Sequence, residues 1–133
     1  MLKQSLILAI SSLALATILV SPAIAAPADS IGTWVNKDSN TRRVTRLVIT
    51  SAGDELNIQV FGQCHPQDCD WGTVPLVTYR VNFQDTNHSY SSVNYNQNFA
   101  NRFLTFGHAG KEILFQGYTQ FLDNSNRPKL LLP

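Results

Sequence analysis

The sequence predicts an all-β fold: a small antiparallel up-and-down barrel, or half-open barrel, of seven to eight strands with one hairpin-loop disulfide. Three observations predict it. Apolar and polar residues alternate with a period of two in several segments, which sends successive side chains to opposite faces of a strand. Clusters of Asn, Asp, Gly and Ser punctuate these segments at roughly 8–12-residue intervals, the spacing of sandwiches and barrels. Beyond residue 26 no stretch sustains the 3.6-residue apolar period of a helix, and only 94–102 is open to either reading.

The first segment is set aside as an address. Lys3 supplies a positive start, an apolar run follows over 6–20, and Ala23 and Ala25 place small residues before a cleavage point after Ala25. This is the pattern of a secretory signal peptide over 1–25. The apolar run is shorter than the ~20 residues needed to span a bilayer, so no membrane anchor is expected after cleavage. Residues 26–133 then form a single domain, secreted or periplasmic, and a monomer.

Strands are expected over 33–36, 44–50, 56–61, 78–83, 89–94, 101–106, 113–118 and 129–132. The alternation is clearest where Leu56, Ile58 and Val60 interleave with Asn57, Gln59 and Phe61. It recurs where Ile113, Phe115 and Gly117 interleave with Leu114, Gln116 and Tyr118. Turns are expected at 36–40, 52–54, 84–87, 108–110 and 123–126. Pro75 belongs near a strand start or edge, because it cannot donate to a ladder.

Ten Lys and Arg stand against nine Asp and Glu in a chain that is 44% hydrophobic and 14% charged. Loss of Lys3 with the leader balances the charges. A dedicated nucleic-acid binder needs a basic face, so nucleic acid is not an expected partner. The apolar content is high enough to offset the ordering entropy that keeps polar chains disordered.

Cys64 and Cys69 flank four residues in Cys64-His65-Pro66-Gln67-Asp68-Cys69-Asp70-Trp71-Gly72. In an oxidising compartment, an even pair at short spacing reads as a disulfide that fixes a turn. The alternative is a metal site built on Cys64, His65, Asp68, Cys69 and Asp70. Zinc sites usually draw on two separated ligand pairs, and no second Cys/His pair exists to complete one.

No nucleophile–base pair, phosphate-cradling glycine loop or metalloprotease motif is present, so neither an enzyme nor a cofactor is expected. The aromatic residues point to recognition instead. Trp71 follows the constrained loop, and Tyr79, Tyr90, Tyr95 and Tyr118 fall in or beside expected strands. Rigidly held aromatics offer contact area at low entropic cost, although Trp71 also reads as core packing beneath the loop. Arg42, Arg43 and Arg46 form a small basic cluster that reads as a solvated face or a contact for an acidic partner. Asn87-His88-Ser89 is a glycosylation sequon, relevant to a eukaryotic source.

The run Gly32-Thr33-Trp34-Val35-Asn36 resembles the first strand of calycin-type barrels, the lipocalin and avidin superfamily. In lipocalins a late Arg packs over the Trp of that strand, and Arg127 lies at the matching late position. The resemblance implies structural roles for Gly32, Trp34 and Arg127. Small bacterial periplasmic protease inhibitors are similar barrels that also open with Gly-x-Trp. The stretch 64–72, with Phe121, Asp123, Ser125 and Arg127 near the end, resembles a family of small uncharacterised secreted bacterial domains. That resemblance implies a secreted address and this fold, and no activity.

The expectation is therefore a secreted, non-catalytic domain that recognises a small ligand or a secreted protein through the bridged loop and barrel mouth. His65, Asp68, Asp70 and Trp71 are the candidate contacts. The alternative is an inhibitor of a secreted or periplasmic enzyme such as a protease, with residues 26–30 reaching into the enzyme's cleft.

Overall fold

The computed structural model describes residues 28–132; the expected leader and its cleavage point lie outside them. A 3-10 turn, η1 (Ala28–Ser30), leads into eight strands. They are β1 (Gly32–Val35), β2 (Val44–Ala52), β3 (Glu55–Gly62), β4 (Cys69–Tyr79), β5 (Tyr90–Gln97), β6 (Ala100–Ala109), β7 (Glu112–Phe121) and β8 (Leu130–Leu132). Each strand pairs antiparallel with its chain neighbours in the order β1 to β8. No ladder joins β1 to β8 or to β7, and the sheet curls into a half-barrel. Among the described residues no helix is long and apolar enough to cross a membrane.

The core sits inside the curl. Leu56, Ile58 and Val60 of β3 are buried together with Leu47 and Ile49 of β2, Leu104 and Phe106 of β6, and Val93 and Tyr95 of β5. On β3 the period-two pattern is complete, with Ile58 and Val60 fully buried. Burying side chains of this size contributes about 1.5–3 kcal/mol each, so the β2–β3 hairpin anchors the domain.

One expected strand is displaced. The alternating run 78–83 suggested a strand, yet β4 ends at Tyr79 and residues 80–89 form a loop. Side-chain hydrogen bonds take the backbone out of the ladder there. Asn82 Oδ1 accepts from the amides of Gln84 and Asp85, while the Asp85 carboxylate accepts from those of Val81 and Asn87. Such Asx turns offer the backbone an alternative to sheet pairing. Conversely, Cys69 to Gly72, expected in a turn, open β4. Pro75 lies inside β4, opposite Asn57 of β3. Its other flank is free, because the β4–β5 ladder begins only at Val77. The ambiguous run 94–102 resolves into the end of β5, a tight turn and the start of β6.

Candidate functional site

The bridged loop joins β3 to β4, and Cys64 and Cys69 are disulfide-linked with their Cα atoms 5.4 Å apart. The bond removes both thiolates from any metal set, and among the described residues no three His, Cys, Asp or Glu side chains converge. The His65–Pro66 peptide is cis.

The four candidate contacts do not share one face. His65, Asp68 and Asp70 are exposed on the outside. His65 Nε2 lies 3.1 Å from Gln63 Nε2; Asp68 accepts from the Thr45 hydroxyl at 2.7 Å, and Asp70 from Gln59 Nε2 at 2.8 Å. Trp71 points the other way and packs on the core. The Asp-Trp-Gly run explains the split. Between Gln59 and Phe61 of β3 the ladder slips by one residue, with Trp71 and Gly72 in the slip on β4. Gly72 has φ +91, a conformation that favours glycine, and its amide is held by Asp70 Oδ1 at 2.9 Å.

Trp71 is locked from several sides. A Cβ on Gly62 would lie 2.8 Å from its indole nitrogen, so glycine is what lets the ring close down on β3. The Tyr95 ring meets Trp71 edge-on at 5.8 Å, and the Arg102 guanidinium covers it at 4.1 Å. Tyr95, read from sequence as part of a recognition surface, is 2% exposed. Its hydroxyl donates to the carbonyls of Gly72 at 2.9 Å and Ile58 at 3.3 Å, tying β5 to β3 and β4 where the β4–β5 ladder is missing. Burial pushes the Tyr95 phenol up to about 12. Burial likewise lowers the Arg102 pKa, and its buried Nε has no hydrogen-bond partner among the described residues.

Gly32, Trp34 and Arg127 lie apart. Gly32 opens β1 with φ +143. The Trp34 indole donates to the Ser30 carbonyl at 2.9 Å and meets the His108 ring edge-on at 5.3 Å. Arg127 covers Phe121 at 3.8 Å rather than Trp34, and pairs with Asp123 at 2.5 Å. The arginine that does sit on a tryptophan is Arg102, on Trp71. Sequence reasoning missed it, because an arginine inside a strand reads as solvent-facing.

Three depressions meet beside the bridged loop. The first, of about 310 Å³, runs between β1–β2 and the β6–β7 hairpin, with exposed Val35 and Leu114 on opposite lips. Lys37 and Glu112 form an ion pair across it. The second, about 600 Å³, is bounded by Arg46, Phe61, Asp68 and Asp70. The third, about 640 Å³, lies between the β1–β2 connection and the loop holding His65 and Asp68. Val35 and Thr45 line all three. Of the basic cluster, Arg46 lies over the Phe61 ring at 3.9 Å, while Arg42 and Arg43 are exposed on the β1–β2 connection. Asn87 of the sequon is exposed in the 80–89 loop.

The first depression is the open seam of the half-barrel. β1 pairs only with β2, and β8 covers only Gly117 to Thr119 of β7. One edge of β1 and one edge of β7 over 112–116 are therefore outside any ladder, and no backbone hydrogen bond joins them among the described residues.

No family model, curated protein or solved structure matches the chain.

Proposed function

We propose that the chain is a secreted, non-catalytic binding domain that takes an extended segment of a partner protein along the seam and against the bridged loop. The observation that carries this reading is the continuity of the seam with the loop through Val35 and Thr45, beside two unpaired strand edges. Free edges offer backbone donors and acceptors for strand addition, and side-chain pockets beside them supply selectivity. Val35 and Leu114 supply apolar contact on the lips; Asp68, Asp70 and His65 supply polar contacts at the loop end. The disulfide holds that end in place before a partner arrives, lowering the ordering cost of binding. A disulfide also fits an oxidising compartment, in keeping with the leader pattern.

Inhibition of a secreted or periplasmic enzyme is the alternative use of the same surface. Of the 26–30 tail, residues 28–30 lie among the described residues. Residues 28–30 are folded into η1, where the Ile31 amide bonds the Ala28 carbonyl and Trp34 holds Ser30.

Amine cross-linking in the native extracellular or periplasmic fraction tests the proposal. Lys37 and Lys111 line the seam, whereas Lys129 lies on the other side of β7 beside β8. A partner should be captured through Lys37 or Lys111 and lost in Val35→Asp. Capture through Lys129 alone, or equal capture by Val35→Asp, would contradict it.

A further inference from the structure

The outer face of β5–β6–β7 shows a second, separate pattern. Asn94, Phe103, Tyr118 and Leu131 stand directly across from one another on four successive strands. Phe103 and Tyr118 are exposed, with ring centroids 6.2 Å apart and planes 38° from parallel. Two residues along the strands, about 7 Å away, the next row is Asn96, Asn101 and Gln120. On the other side the row is Thr105 and Gln116, and the Tyr118 hydroxyl donates to Gln116 Oε1 at 3.2 Å. One row further, the exposed Tyr90 and Leu114 flank Gly107. No Asp, Glu, Lys or Arg occupies an outward position over 90–96 of β5, 101–107 of β6 or 114–120 of β7. A groove of about 450 Å³ crosses this face, walled on one side by 129–131.

Each feature narrows the occupant. Among the described residues that line the groove, Lys129 at the rim is the one charged side chain, so a charged polymer would find a single counter-charge at most. A lipid surface would have to desolvate the amide rows, which costs several kcal/mol per unpaired group. The apolar row of Phe103, Tyr118 and Leu131 is flanked by polar rows, so it is a narrow stripe rather than the broad apolar patch of a protein interface. Flat rings flanked by side-chain amides suit a ligand with apolar C–H faces and many hydroxyls. We infer that this face is a binding platform for a neutral polysaccharide, with Phe103 and Tyr118 stacking on sugar rings and Asn94, Asn101 and Gln120 bonding hydroxyls. The inference is independent of the seam.

Affinity electrophoresis of the full chain through gels containing hydroxyethylcellulose, galactomannan or mixed-linkage β-glucan tests it, with polygalacturonate as the charged control. At least one neutral polymer should retard the protein. Phe103→Ala/Tyr118→Ala should weaken that retardation about tenfold or more, while Val35→Asp leaves it unchanged. If the aromatic double variant does not melt cooperatively, Asn101→Ala/Gln120→Ala carries the test, and its undiminished retardation overturns the inference. Retardation by no neutral polymer, by polygalacturonate alone, or equally by the folded aromatic variant also overturns it.

Discussion

At the scale of single residues, the Trp71 cluster makes the firmest statements. Gly62→Ala forces a methyl group into the indole, and overpacking of this kind costs about 1–3 kcal/mol. Trp71→Ala leaves a cavity below Arg102 and against Tyr95, with an expected loss of about 3–5 kcal/mol by chemical denaturation. A loss of binding in that variant would therefore report on folding, whereas Asp68→Ala reports on the loop surface. Tyr95 adds a pH signature. Its phenol rises from 10.0 to about 12 on folding, so the native state holds the proton more tightly than the unfolded chain. Stability from this group is complete below about pH 10, falls as pH rises, and is lost once pH passes about 12. Tyr95→Phe should melt at lower temperature near neutral pH, because a buried and a part-buried carbonyl lose their donor, and should show a shallower alkaline decline. An unchanged alkaline slope in Tyr95→Phe would remove this assignment.

At the scale of elements, the alternation of β3 and β7 was legible because each has one face in the core and one in water. The placement of β4 was not. Its Asp-Trp-Gly start carries turn residues, yet they serve a slip in the ladder, and the next alternating run is captured by Asn82 and Asp85. Local side-chain bonds and long-range pairing compete there, and only the fold decides between them. The candidate site was legible in part: the loop and its disulfide could be read, whereas the inward turn of Trp71 and the seam beside Val35 depend on register and curl. Replacing Cys64 and Cys69 by serine should cost about 2 kcal/mol by the loop-entropy argument. Far-ultraviolet circular dichroism should still report the sheet, since β3 and β4 keep their own ladder. Loss of the sheet signal would mean that the bridge does more than hold the loop.

For the whole molecule, the decisive property is that eight consecutive strands curl without closing. Closure would remove the exposed edges that invite association. Here β1 and the first half of β7 leave theirs open, screened by the Lys37–Glu112 pair and by Trp34 against His108. The exposed ion pair adds little stability and breaks readily, so it screens the seam without sealing it. Amide hydrogen exchange on the free protein, repeated with the partner captured through Lys37 or Lys111, tests the open seam most directly. The edge amides of β1 and of 112–116 should exchange much faster than those of Ile58 and Val60 in the free protein, and become protected when the partner binds. Edge amides as protected as the β3 core before any partner is added would show a closed barrel and contradict the account.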